Sequence, residues 1–251
     1  MTGGRIATGN SELDDMLGGG ILPRQVLVAA GPAGAGKTIM ALQFAFGNLM
    51  EGKKCLFISA SDDEDSLVKN SLKFGWDLET FIVKGQLSII NINLARGEYS
   101  LASDMLDGGG LISDYLEKLP RILKSSDTDI VIIDSITEFN DLCTSELERR
   151  ARLLDIRRII REIGATALWT AELALEGYST KYGIAEYVSD GFILLNRFQP
   201  GDFSKFLYII QIVKMRWISH SKELRVYSIS ENGIEIESPL YSTLASGGAI
   251  K

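Results

Sequence analysis

The octapeptide GPAGAGKT, residues 31–38, is the densest concentration of chemistry in the chain. It fits G-x-x-x-x-G-K-[ST] and lies between an apolar run, QVLVAA (25–30), and the helically spaced KTIMALQFAFGNLM (37–50). A strand before and a helix after is the setting that such a loop requires. Glycines at 31, 34 and 36 let the backbone curl until successive N–H groups point inward at phosphate oxygens. The helix that opens near Lys37 adds the positive end of its dipole. The predicted cradle runs from Gly31 through Pro32, Ala33, Gly34, Ala35 and Gly36 to Lys37, Thr38 and Ile39. Lys37 would reach the β- and γ-phosphates, and Thr38 would offer its hydroxyl to Mg²⁺. DIVIID (129–134) supplies a second element, an apolar strand ending in Asp134 and followed by Ser135. A carboxylate in that place can orient a Mg²⁺-bound water.

Four consecutive acids, Asp62 to Asp65, follow another apolar run, CLFIS (55–59). Ser61-Asp62-Asp63-Glu64 fits the capping box S-x-x-E, with acids crowded into the first turn of a helix. That reading accounts for most of the four acids.

Strands and helices must alternate to position these groups. LSIINI (87–92), TALWTA (166–171) and FILLN (192–196) are further strands; DEDSLVKNSLKFG and SELERRARLLDIRRIIREIG are helices. Alternation of this kind implies βαβ units and a mostly parallel twisted sheet flanked by helices, an α/β fold. Beyond residue 190 the character changes. KFLYIIQIVKMR, ELRVYSIS and GIEIES read as antiparallel strands at the C-terminal edge, with Asn232-Gly233 as a hairpin turn. Residues 1–237 are expected to form one domain and 238–251 a flexible tail. The glycine triplets at 18–20 and 108–110 read as turns.

Several segments together resemble the KaiC-like ATPases, a branch of the RecA/RadA superfamily. They are TGNSELDDMLGGGI, GPAGAGKT, KNSLKFGWDL, VIIDS, YGIAEYVSDG and KMRWISHSKELR, in that order along nearly the whole chain. The resemblance implies a RecA-like P-loop core and a homo-oligomeric ring, usually a hexamer, with ATP at the seams. The neighbouring subunit would supply Lys214 and Arg216, with His220 near the ribose or base. Lys and Arg two apart on a strand share a face, and a cation reaching into a phosphate site acts as an arginine finger. Glu172 would stand where the superfamily has a γ-phosphate sensor. Trp76 and Lys73 match a segment near the base, and read equally well as a packed helix end. The same comparison places Ser61 at the glutamate that polarises the attacking water and Asp62 at the glutamate after it. Serine cannot act as a base unaided, so the resemblance leaves Asp62 as the one candidate for catalysis, and slow or impaired hydrolysis is expected. Trp217-Ile218 departs from the family's Gly-Thr. Glu186-Tyr187 falls where the clock protein has its autophosphorylated pair, so a clock-type autokinase cycle is not expected.

Two other functions fit parts of the sequence. One is a recombinase-paralogue role on single-stranded DNA, through loops near 108–110 and 176–183, with Tyr178 and Tyr182 for stacking and Lys181 as the one cation. The other is a non-catalytic nucleotide sensor in a larger signalling or motility complex, with a protein partner that the sequence does not name. The net charge of −7 argues mildly against a nucleic-acid footprint. Arginines in the helix from Ser145 to Ile163 are interleaved with acids at pairing distances, and a solvated, salt-bridged face is expected there. No run approaches the ~20 apolar residues of a membrane span. No leader is recognisable, and two distant cysteines with one histidine provide neither a disulfide framework nor a His-rich metal site. The cytoplasm is the expected compartment.

Overall fold

The computed structural model describes residues 4–93, 98–101, 112–174, 179–199 and 206–239. In chain order the elements are α1 (Ser11–Met16), β1 (Val26–Gly31), α2 (Lys37–Met50), β2 (Cys55–Ser59), α3 (Glu64–Ser71), α4 (Leu78–Val83) and β3 (Leu87–Asn93). They continue with β4 (Glu98–Leu101), α5 (Ile112–Ser125), β5 (Ile130–Asp134), α6 (Ile136–Asp141), α7 (Glu146–Ile163), β6 (Thr166–Glu172) and α8 (Ala185–Val188). The last strands are β7 (Gly191–Phe198), β8 (Leu207–Met215), β9 (Arg225–Ser230) and β10 (Gly233–Pro239).

All ten strands join one sheet in the order β10-β9-β8-β7-β1-β6-β5-β2-β3-β4. The central six, β7 to β3, are parallel. β8, β9 and β10 extend one edge antiparallel, and β4 closes the other. The predicted α/β architecture with antiparallel C-terminal strands is therefore observed.

Every residue of β1, β2 and β5 is buried, as a parallel sheet covered on both faces demands. Alternate side chains enter opposite layers. Leu27, Ala29, Phe57 and Leu168 pack with α1 to α4, while Val28, Ala30, Ile58 and Trp169 pack with α5 to α8. Among the described residues no helix is long and apolar enough to cross a membrane.

Local chemistry sets the element ends, with some departures from expectation. The N-cap of α3 is Asp63, whose carboxylate accepts from the Ser66 N–H, so the capping box at Ser61–Glu64 does not form. Two other helices use the serine of an S-x-x-E sequence as their cap. Ser135 caps α6 and donates to Glu138; Ser145 caps α7, accepting from the Glu148 N–H. The β9–β10 turn is Glu231-Asn232, and Gly233 pairs with Ser230 as the first residue of β10 at φ +102°. Gly18, Gly19 and Gly20 all have positive φ and form the expected turn; the triplet at 108–110 lies outside the described residues. β10 reaches Pro239, which pairs with Arg225, so residues 238 and 239 continue the strand rather than start a tail.

Candidate functional site

The register brings the C-terminal ends of the parallel strands to one level. Gly31 of β1 pairs with Glu172 of β6, and Ser59 of β2 pairs with Asp134 of β5. The segment 31–39, Asp134, Glu172 and the chain after β2 thus line one edge of the sheet. In an open α/β sheet, ligands bind in the crevice at that edge.

The loop after β1 is shaped by close approaches. A Cβ on Gly31 would lie 2.7 Å from the Leu195 carbonyl oxygen, and one on Gly36 would lie 2.9 Å from Ile229 Cδ1. Gly34 and Gly36 adopt φ of +76° and +83°, and the space beside Gly34 is open. Gly36 caps α2 without a side-chain hydrogen bond. The first N–H groups of this 14-residue helix, at Lys37, Thr38 and Ile39, therefore have no intrahelical partner. The Lys37 ammonium donates to the Gly31 and Pro32 carbonyls at 2.9 and 3.1 Å. Burial lowers its pKa, while Glu172, Asp134 and Glu138 favour its charge. From the far strands, the Tyr227 hydroxyl donates to the Ala35 carbonyl at 2.6 Å.

Asp134 is almost wholly buried at the end of β5 and is joined to Ser135 by a cis peptide bond. Its Oδ1 accepts from the Thr170 hydroxyl, while Oδ2 is buried with no hydrogen-bond partner. Burial holds this carboxyl above the usual range, and the charge of Asp62 adds to the rise. The Thr170 and Thr38 hydroxyls and the Lys37 ammonium pull the other way. Asp62 therefore acts on the same site. β2 has ended at Ser59, so the alternation of a strand no longer dictates where residue 62 points. The Ser59 hydroxyl accepts from the Asp62 N–H at 3.0 Å, and Asn91 donates to the Asp62 carbonyl. Ser61, where the resemblance expects a glutamate, is exposed and donates to Asp62 at 3.2 Å.

Two residues of this edge were not singled out from the sequence. Glu138 of α6 accepts from Ser135 and acts on Lys37. The Thr137 hydroxyl accepts from the Glu172 N–H at 2.8 Å and fixes the end of β6. The S-x-x-E pattern at Ser135–Glu138 was the available signal.

Lys214, Arg216 and His220 lie elsewhere. β8 runs antiparallel to β7, with Met215 opposite Gly191, so this segment sits at the N-terminal edge of the parallel strands. A six-residue strand separates the two edges by about 20 Å. Lys214 donates to the Glu186 and Ser189 carbonyls, and Arg216 to the Tyr187 carbonyl at 3.1 Å. Both cations face the fully buried Asp190. That carboxylate also binds Arg157 at 2.5 Å, Arg161 at 3.0 Å and the Val26 N–H at 3.1 Å. A solvated, self-paired α7 is thus only part of the finding. Arg158 pairs with Asp155 and Glu162 within the helix, but Arg157 and Arg161 serve Asp190. His220 Nδ1 lies 3.0 Å from the Ser221 carbonyl oxygen.

The remaining candidates are engaged within the chain. Trp76 is buried and stacks on Phe74 and Phe46, as a packed helix end would; Lys73 donates to Asn70. Tyr182 donates to Asp141 and carries Arg149 over its ring at 4.3 Å, while Lys181 pairs with Asp141. A base-stacking platform at Tyr182 is therefore already covered. Tyr178 lies outside the described residues.

The family model described as "ATPase: KaiC" matches residues 6–241. The circadian clock oscillator protein KaiC of Synechococcus elongatus is 28% identical over 226 residues, which cover 89% of this chain and 42% of that protein. The chain thus spans about two-fifths of the length of the clock proteins it matches. A UPF0273 protein of Thermotoga maritima is 27% identical, with coverage of 92% of this chain and 95% of the other. The crystal structure of a KaiC-like protein from Pyrococcus horikoshii superposes with a TM-score of 0.76 at 26% identity, covering 93% of this chain and 99% of that one.

Proposed function

The chain belongs to the KaiC ATPase family, and from that premise we propose that it binds MgATP at the 31–39 loop and hydrolyses it slowly. The observation that carries this reading is the set of groups that converge at one sheet edge. Bare helical N–H groups, a half-buried ammonium and an orphaned carboxylate oxygen converge there. An anion with a divalent cation satisfies all three.

The donor set fits both components. Gly31, Pro32, Ala33, Gly34, Ala35 and Gly36 give the phosphates a curved backbone, and Lys37, Thr38 and Ile39 give them the helix N-terminus. Lys37 exchanges its two carbonyl partners for phosphate oxygens. The Thr38 hydroxyl and Asp134 Oδ2, through water, would hold Mg²⁺. Mg²⁺ takes most of its ligands from phosphate and water, so one hydroxyl and one carboxylate suffice from the protein. When bound, Mg²⁺ neutralises charge on the phosphates. Glu172 senses the terminal phosphate from the end of β6.

Slow turnover follows from the chain after β2. Ser61 cannot take a proton from water without a base behind it. Asp62 is the nearest carboxylate on that segment and is occupied with Ser61. It serves as a weak base, so the nucleotide acts as a switch for assembly. Lys214, Arg216 and His220 cannot reach the phosphate loop of their own chain across the sheet. They can reach the loop of a second copy stacked head to tail, an arrangement that closes into a ring, here a hexamer by resemblance to the family.

The test measures MgATP binding by calorimetry and steady-state phosphate release for the wild type, Lys37→Ala and Asp62→Asn. Binding lost in Lys37→Ala, and slow release lost in Asp62→Asn, are expected. Rapid turnover untouched by Asp62→Asn refutes both the slow-enzyme reading and the role of Asp62.

A further inference from the structure

Trp217 combines two features that are individually unfavourable. Its backbone sits at φ +70°, where a bulky side chain is a genuine outlier. Its indole is 85% exposed, the most exposed large apolar side chain among the described residues.

The flanking residues explain how the conformation is enforced. The Arg216 N–H donates to the Asp190 carbonyl, and the Arg216 carbonyl accepts from the Gln25 side chain. Ile218, the next residue on, packs into the apolar layer beneath α1, and the Ser221 N–H donates to Met16. The chain must turn sharply between two anchored neighbours, and residue 217 takes the left-handed position. A glycine would occupy it without cost. Within one chain the tryptophan gains little burial in return.

The edge around it has a complement. Four cations, Arg157, Arg161, Lys214 and Arg216, surround one buried carboxylate, Asp190, with Glu186 the other carboxylate acting on Lys214. At the opposite edge Glu172, Asp134 and Glu138 act on Lys37, and Asp62 acts on Asp134. Phosphate groups bound there add negative charge. Apolar surface is exposed at both edges as well: Trp217 and Tyr187, whose carbonyl accepts from Arg216, at one, and Phe198, Phe206 and Ile229 toward the phosphate-loop edge. The two edges are thus opposite in charge and both partly apolar, which favours a second copy of this chain as the occupant.

We propose that Trp217 is the apolar anchor by which one copy grips the phosphate-loop edge of the next. This rests on the head-to-tail reading above. An exposed aromatic that becomes covered at the centre of an interface is the usual form of a binding hot spot.

The test uses sedimentation velocity over a concentration series with MgATP, together with thermal melts of the nucleotide-free chain. Trp217→Gly removes the indole and the backbone penalty together. It is expected to melt no lower than the wild type, and to need at least about tenfold more protein to assemble. Trp217→Phe is expected to fall between. Intrinsic fluorescence gives an independent readout, since Trp76 and Trp169 are already buried; wild-type emission should shift to the blue on assembly. If Trp217→Gly assembles at the wild-type concentration, the anchor is refuted and the head-to-tail reading stands. A lower melting temperature for Trp217→Gly also refutes it, by showing that the indole acts within its own chain. A wild type that stays monomeric with MgATP at every concentration overturns both readings.

Discussion

Removing the charge of Asp190 should be among the most damaging single changes available outside the apolar layers. Its carboxylate is fully buried and accepts from Arg157 Nη2 and Nε, at 2.5 and 3.4 Å, from Arg161 at 3.0 Å and from the Val26 N–H at 3.1 Å. Arg157 is the most buried of its guanidinium partners, with 15% of its side chain exposed. Leaving such a cation without its partner costs about 3–5 kcal/mol. Arg161 and Arg216 are 43% and 38% exposed, so solvent screens them, and each adds at most about 1 kcal/mol. Asp190→Ala also orphans the Val26 N–H, worth about 1–3 kcal/mol. Asp190→Asn keeps an acceptor for that N–H and isolates the charge. The expected losses are about 3–5 kcal/mol for Asn and more for Ala. At roughly 2–4 °C per kcal/mol for a chain of this size, Asp190→Asn should melt roughly 6–20 °C lower. Urea unfolding of the nucleotide-free chain at low concentration, which separates folding from assembly, gives the free energy. Adding Arg157→Met to Asp190→Asn should recover part of the loss, because both members of the buried pair are then neutral. A loss below about 1 kcal/mol for Asp190→Ala would show that the cluster is solvated and the reasoning wrong.

Other expectations concern the supports of the phosphate loop and one titrating group. Tyr227→Phe leaves the Ala35 carbonyl without its donor; it should cost about 1–3 kcal/mol in urea unfolding and weaken MgATP binding in calorimetry. Gly36→Ala meets both a φ of +83° and Ile229 Cδ1 at 2.9 Å. A loss of about 1–2 kcal/mol is expected from the backbone alone, and Ile229→Val should relieve only the contact, as paired melts would show. Burial raises the pKa of Asp14, against hydrogen bonds from Thr8. A carboxyl raised on folding contributes stability that is fully present below its unfolded pKa and is lost as pH rises through the folded value. Asp14→Asn should therefore be at least as stable as the wild type at neutral pH and lose that advantage on acidification, measured by melts across the acid range.

Much of the architecture could be read directly from residue patterns. α2 and β2 were legible to the residue, because Gly36 and Glu51 bound the apolar stripe of one, and Lys54 and the polar run from Ser61 bracket the apolar run of the other. The 31–38 motif, Asp134 and the acids after β2 stand out locally in the sequence, and parallel register brings them to one edge. α5 was missed; Pro120 inside it reads as a breaker. α4 and α6 were missed because six residues are too few to show a helical period. The capping box at Ser61 was misplaced because any Ser or Asp in SASDDEDS can cap. The choice of Asp63 is set by where Leu67 must be buried. Asp190 was invisible for a different reason. Its hydrogen-bond partners lie up to 164 residues away, and no local pattern records them.

The hairpin of β9 and β10 bears on when during synthesis the proposed nucleotide site can exist. Tyr227 reaches Ala35 across 192 positions of sequence, and the Gln43 side chain accepts from the Ile234 N–H. Ile229 and Ile234 close over Gly36. A ribosome adding about 5–20 residues per second needs about 10–40 s to supply those partners after the loop has emerged. Until then the loop has its motif but not its walls. Prematurely terminated chains should consequently fail to retain nucleotide, which makes nucleotide capture a report on complete translation of the domain.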